Sequence, residues 1–448
     1  MMPVVTACKR YALWQGYCRG IAMQSVLCRI VLLLLTGFFS LALGAQEYAF
    51  LHRHELALNK RLLQQQQAPD LTVAAWRRLR VQADRDLTLP LLSVTDKKLT
   101  PPGGSQHDYY SLSAYWWPDN LAPDGLPWLR RDGEVNPASK NGDSDGVRLA
   151  EFTARVQTLT LAWYFSDDER YARRAIALIR RWFISPSTRM DPNLTFAQMI
   201  PGRASARRSG VLDGRYFATR IVDSLIMLRL APGWRAEDEK QMQRWMNDYL
   251  YWLLNSRQGR SEARAENNHG SWYNVQVAGI AWYLQRPQVI KQMVQQATGR
   301  MNSQFAADGS QPKELARTRS FHYSWFNLQA LTALAGLARH GVGEDLWHYR
   351  TTQQVTLLKA LDFMVPFSDG RQRWPWRSLD PIGVRLIPLL SQADNQLGSD
   401  RYQQAIRQTA WTLPERGAAR GAMLDAQRDC WLLSQPRFSI HSPPARAE

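Results

Sequence analysis

Between positions 71 and 363 apolar residues recur at the three- and four-residue spacing that sets them on one helix face, and no stretch sustains the strict alternation of a half-buried strand. The pattern predicts helices over about 71–86, 147–165, 168–184, 212–230, 236–255, 271–285, 287–304, 323–340 and 344–363. Ser166-Asp167, Pro232-Gly233, Arg286-Pro287 and Gly341-Val342-Gly343 separate successive helices, each with residues that end one helix or begin the next. Helices joined by such short breaks pack antiparallel. Hairpins of unequal length with no fixed short repeat predict an all-α chain closed into a toroid or barrel, rather than a solenoid of identical units. A toroid leaves a central cleft.

Two long segments, 88–145 and 185–211, carry no helical pattern, and stretches of that length in a compact chain commonly hold function. In the first, Tyr109, Tyr110, Tyr115, Trp116 and Trp117 crowd into nine residues and end at Pro118. Outside a helix such rings form either a platform for the C–H faces of sugars or a plug closing one end of the toroid. The second runs Asp191-Pro-Asn-Leu194, Ala197-Gln198 and Ile200-Pro-Gly-Arg203. Its Pro and Gly fix a turn, from which Asn193, Gln198 and Arg203 could line a polar, positive groove.

The first 44 residues read as a targeting segment rather than as part of the fold. Arg29 precedes the apolar runs Ile30–Leu35 and Phe38–Leu43, and Ala42-Leu43-Gly44 offers small residues where a signal peptidase cuts. Met23 is a plausible start, since Met23 to Arg29 already forms a short basic leader. The run is shorter than the roughly 20 residues of a spanning helix, so cleavage and a periplasmic or secreted product are expected, without stable membrane insertion. The remainder, 45–448, reads as one domain. Cleavage removes three of the four cysteines and leaves Cys430, so no internal disulfide is expected. Four basic residues and no acidic one leave with the leader, and the formal charge falls from +17 to +13. Export, the lack of a Lys/Arg-rich tail and the 18 tryptophans point away from nucleic acid and toward an anionic polysaccharide; a monomer is expected.

Candidate chemistry lies in two further clusters. Asn267-Asn268-His269-Gly270-Ser271-Trp272 sits where a loop becomes a helix. Exposed N–H groups and partial positive charge there favour a carboxylate and a neutral imidazole able to accept a proton. Glu314-Leu-Ala-Arg317-Thr-Arg319-Ser-Phe-His-Tyr323 opens another helix. A guanidinium beside a phenol favours phenolate, so Arg317 is expected to lower the pKa of Tyr323, which would then serve as base or acid.

Taken in order, these four clusters resemble the alginate lyase family of polysaccharide lyases. Its pattern has a Tyr-Trp-Trp-Pro loop, an Asn-Pro-Asn-Leu loop running to Ile-Pro-Gly, an Asn-Asn-His-Gly-x-Trp helix start and a Glu-Leu-x-Arg-Thr segment ending in Tyr. Here they are Tyr115–Pro118, Asp191–Gly202, Asn267–Trp272 and Glu314–Tyr323, within about 100–340. Asp191 replaces the first Asn of the second pattern, and the Arg317-to-Tyr323 spacing is one residue shorter than in mannuronate lyases. The resemblance implies an incomplete (α/α) toroid that cleaves uronate chains by β-elimination, with no metal or organic cofactor. It implies Asn268, His269, Arg317 and Tyr323 as the catalytic group, and Tyr109, Tyr115, Trp116, Trp117, Gln198, Trp272 and Arg319 as substrate contacts. Asn268 and Arg317, helped by His269, would neutralise the uronate carboxylate. Tyr323 or His269 would take the C5 proton, and Tyr323 would protonate the leaving 4-oxygen. Alginate rich in mannuronate and glucuronan are both candidate substrates.

Other chemistries are read from the same residues. No His-Glu-x-x-His or comparable spacing suggests zinc. Asp143-Ser144-Asp145-Gly146 begins like a calcium loop but lacks its distal Glu, and reads as a helix cap. A glycoside hydrolase on a similar toroid would need two carboxylates flanking the cleft, for which Asp108, Asp119, Asp213 and Glu314 are available. A non-catalytic polysaccharide-binding protein would need the groove but not the imidazole and phenol together.

Overall fold

A computed structural model describes residues 46–203, 208–368, 372–379, 383–408 and 433–434. The expected leader 1–44, Cys430 and the tail from Pro436 lie outside them. Tyr48–Glu448 forms one compact unit, which holds the helices, the strands and the cleft.

The predicted hairpins form. Asp145–Ser166 turns through Asp167, in the left-handed conformation at φ 59°, into Glu169–Ile179, whose N-cap Asp168 accepts from the Arg170 N–H. Asn268–Tyr283 and Pro287–Gln304 pair across Arg286 with Pro at the first helical position, and Ser320–Val342 ends at Gly343, φ 71°. With Asp70–Thr88 and Ala236–Asn255 these elements build the (α/α) toroid. Its innermost helix is Asn268–Tyr283, in which every residue except His269 and Trp282 is buried. A helix buried on all sides belongs inside a larger structure, and this one packs against both Pro287–Gln304 and Ser320–Val342.

The expected helix over 344–363 exists only as Leu357–Met364. Thr351 and Val355 close a turn with Gln354 at φ 58°, and the Thr356 side chain accepts from the Lys359 N–H, so the helix starts late at a proper cap. Arg53–Gln64, Arg257–Ala263, Ile387–Leu397 and Gln403–Gln408 are helices that the periodicity did not single out. Ser144 holds the N-cap position of Asp145–Ser166 without a side-chain cap bond, so the expected cap there is not made. Asp145 instead accepts from the Tyr110 N–H and from Arg148.

The two non-helical segments are joined to each other. Tyr110–Leu112 runs parallel to Phe196–Met199, with Tyr110 opposite Phe196 and Leu112 opposite Met199. Trp116–Trp117 pairs antiparallel with Leu129–Arg130. Tyr110, Leu112, Trp128 and Ile200 bury their own small apolar cluster beneath these ribbons. Loops stapled in this way act as a rigid wall rather than as free connections. The buried Asp223 carboxylate accepts from the N–H groups of Ala49, Phe50 and Leu51 and ties that segment to the helix Asp223–Leu228.

Candidate active site

The toroid and the loop wall enclose a cleft of about 890 Å³. Its lining brings together Tyr115, Trp116 and Gln198 from the loops with His269, Trp272, Arg317 and Tyr323 from the helix starts. Four elements far apart in sequence thus contribute to one site.

His269 is set by the turn before its helix. Arg300 donates to the carbonyls of Ala263 and Ala265 and to the Asn274 side chain, which holds the chain against the inner helix. Gly270 is required there, because a Cβ would press on the Ala265 carbonyl and on Arg300. The His269 Nδ1–H donates to Glu262 Oε1 at 2.6 Å, and Glu262 is fully buried. A carboxylate only accepts, so the contact fixes the proton on Nδ1 and leaves Nε2 to the cleft.

Asn268 does not face the cleft as expected. It is fully buried, and its backbone N–H and Nδ2 both donate to Glu314, each at 2.7 Å. The amide next to it, Asn267, lines the cleft instead. Burial raises the Glu314 carboxyl above the usual range, against the opposing pull of Asn268, Arg317 and His269. Glu314 is therefore a latch between the two helix starts.

Arg317 directs Nε and Nη2 to Asp132 at 3.2 and 2.8 Å, and its guanidinium carbon lies 3.8 Å over the Tyr323 ring. Burial alone would raise Asp132, but Arg317, Arg130 and Thr318 together hold its carboxyl well below the usual range. The expected lowering of Tyr323 is overturned. Burial, with Tyr115 beside it, pushes the phenol far above its ordinary value, and the opposing effect of Arg317 is too small to reverse this. Tyr323 therefore holds its proton, which it donates to the Tyr115 hydroxyl at 2.9 Å.

Three of the expected contacts, Tyr109, Trp117 and Arg319, stand outside the lining. Tyr109 is 1% exposed and donates to Asp213 at 2.9 Å, so this ring belongs to the packed plug. Trp117 donates its ring N–H to the Glu134 carbonyl and lies beside Arg131. Strand alternation explains the latter, since neighbouring Trp116 and Trp117 point to opposite faces. Arg319 stands behind Tyr115, with Nη1 at 3.4 Å from its hydroxyl. Gln198 sits in the cleft wall at φ 50°, its amide donating to Asp213. Trp272 packs tilted on Phe326 at 4.9 Å and donates to the Phe326 carbonyl.

Sequence reasoning missed Glu262 and Asp132, the carboxylates that orient His269 and Arg317. Glu262 lies seven residues before His269 on another helix, and Asp132 lies 185 residues before Arg317, so no local spacing announces either pair. The cleft lining holds six Lys and Arg side chains and, among the described residues, Asp213 as its one carboxylate. Of the carboxylates available to a hydrolase, Asp108 accepts from the Ser105 N–H, Asp119 from the Leu121 N–H and Glu314 from Asn268, all away from the lining.

The helical toroid and the residues gathered in its cleft define a polysaccharide lyase. A model of the alginate lyase family matches residues 93–374, well over half of the chain, and the protein belongs to that family. It is similar to an alginate lyase from Bacteroides ovatus, with 29% identity and a TM-score of 0.75 over 84% of this chain and 98% of that one. An alginate lyase from Sphingomonas species A1 shares the fold at 15% identity and a TM-score of 0.54, over 88% of this chain and 97% of that one. A variant of that Sphingomonas enzyme complexed with a tetrasaccharide is similar at the same identity and TM-score. No curated protein matches the chain.

Proposed function

We propose that the protein depolymerises a uronate polysaccharide, alginate foremost, by β-elimination, with His269 as base and Tyr323 as acid. The observation that carries this reading is the convergence of a tautomer-fixed imidazole, a guanidinium and a protonated phenol on one strongly basic cleft. Removing the C5 proton drives charge onto the adjacent carboxylate. Arg317, the Asn267 amide and the positive start of the helix at Asn268 offset that charge. His269 Nε2 takes the C5 proton, and the C–H electron pair becomes the C4–C5 double bond. The C4–O4 bond breaks, and O4 leaves with its electron pair and takes the Tyr323 proton. One product begins with an unsaturated uronate, and the other carries a new reducing end.

Separate base and acid side chains suit a substrate whose C5 hydrogen and O4 lie on opposite ring faces, as in guluronate. Mannuronate and glucuronate carry both on one face and would call on Tyr323 for both steps. The leader supports export, which places the enzyme where such polymers are met. The test is ultraviolet absorbance of unsaturated uronate during incubation, with chelator present, against guluronate blocks, mannuronate blocks, glucuronan and neutral glycans. Rising absorbance on an acidic polymer is expected. New reducing ends without absorbance would establish a hydrolase instead, and binding without either product a non-catalytic receptor.

A further inference from the structure

Away from His269 and Tyr323, the cleft wall carries a second concentration of positive charge. A π-helical turn, Phe217–Val222, interrupts the helix that follows Gly214. In a regular α-helix residues 215 and 220 would diverge by about 140°. The wider turn brings Arg215, Tyr216, Thr219 and Arg220 onto the cleft together. The guanidinium carbons of Arg215 and Arg220 lie 4.0 and 4.2 Å from the centre of the Tyr216 ring, so the three side chains pack as one cluster in the cleft wall. Arg220 is anchored on the Ala150 carbonyl and the Thr153 hydroxyl. Arg215 donates to the Leu212 carbonyl and the Tyr216 hydroxyl, both neutral. Asp213, the carboxylate of the lining, is occupied by Tyr109, Ser111 and Gln198.

The wall is continuous with the reacting centre. The Arg215 guanidinium lies 5.6 Å from the Phe326 ring, Phe326 stacks on His322 at 5.7 Å, and His322 meets the Tyr323 ring at 5.2 Å. A uronate polymer presents one carboxylate per sugar, so a chain gripped at Arg317 carries further carboxylates along this wall.

We propose that Arg215, with Arg220 and the Tyr216 ring, forms a second carboxylate-binding subsite that holds another uronate of the chain being cleaved. The proposal rests on the uronate reading above. The subsite acts on substrate length: short oligomers reach Arg317 alone, and longer ones gain the clamp as well. The fork of Arg215 sets the geometry, so lysine replaces only part of its effect.

Calorimetric binding of uronate disaccharide and hexasaccharide to the Tyr323→Phe protein, with and without Arg215→Gln or Arg215→Lys, tests this. Loss of a charge-assisted pair predicts roughly ten- to hundredfold weaker hexasaccharide binding for Arg215→Gln, a smaller loss for Arg215→Lys, and a smaller loss for the disaccharide. Equal hexasaccharide affinity in all three proteins overturns the subsite, as does an equal loss for both oligomers, which would mark a general charge effect. Turnover of the hexasaccharide by the unsubstituted protein is followed in parallel. Absent unsaturated product with the length-dependent loss intact overturns the lyase reading and leaves the subsite standing.

Discussion

The proposed base and its neighbours are set by carboxylates that stand outside the cleft lining. Glu262 chooses the tautomer of His269, Glu314 occupies Asn268, and Asp132 aims Arg317. Glu262→Gln substitutes an amide that donates to Nδ1 and moves the imidazole proton to Nε2, where it blocks proton uptake. A fall in kcat of roughly 10²–10³-fold with KM nearly unchanged is expected, measured by steady-state absorbance. A proportional rise in KM with kcat retained would show that Glu262 acts on binding instead. Tyr323→Phe is expected to retain oligosaccharide binding while losing turnover by a similar or larger factor. Because burial raises the Tyr323 phenol, its acid form persists as pH rises, and deprotonation of this residue should leave no basic limb in kcat below about pH 10. A loss of kcat centred between pH 8 and 9 that coincides with ionisation of the Tyr323 phenol would contradict that assignment.

Secondary elements deliver these residues through close contacts that tolerate little change. Gly270→Ala would force a methyl group between the Ala265 carbonyl and Arg300 at the base of the His269 turn. Overpacking of this kind costs about 1–3 kcal/mol, so a lower melting temperature together with impaired turnover is expected. Asp223 provides a second test. Burial pushes its carboxyl up to about 6, against three backbone donors. The folded state therefore holds this proton more tightly than the unfolded chain does. Its stabilising contribution is complete below the ordinary value of 3.8 and declines as pH rises through about 6. Melting temperatures over pH 4–7 should show this decline in the parent protein and not in Asp223→Asn, which cannot titrate. The parent protein and Asp223→Asn following parallel curves would refute the assignment.

For the whole molecule, the decisive feature is the charge of the cleft. Six cations against one described carboxylate create a field that concentrates an anionic polymer, and salt screens such a field. KM on a uronate polymer is expected to rise with added salt while kcat changes little. A KM independent of ionic strength between 0.05 and 0.5 M, a range over which screening is roughly threefold shorter, would remove electrostatic capture from the account. The parallel pairing of Tyr110–Leu112 with Phe196–Met199 makes one wall of two distant loops. Substitutions in either loop should therefore alter substrate affinity together, as a shared rigid surface requires.

The order and pairing of the helices were legible in the sequence, because apolar periodicity and capping chemistry are local and repeat within one or two turns. The motifs at Asn267–Trp272 and Glu314–Tyr323 were legible for the same reason: each is a helix start with its chemistry on adjacent residues. What tertiary structure alone decided was the environment of those residues. Tyr323 is buried beside Tyr115, so desolvation outweighs the neighbouring charge of Arg317 that the sequence placed in view. Asn268 turns inward to Glu314, and Asn267 takes the cleft. Tyr109 and Trp117 leave the lining because burial and strand alternation, rather than ring count, determine which aromatic side chains face the substrate. Glu262, Asp132 and the Arg215–Tyr216–Arg220 clamp depend on pairings across helices and on a π-helical turn. Such relations exist in three dimensions, and no spacing along the chain encodes them.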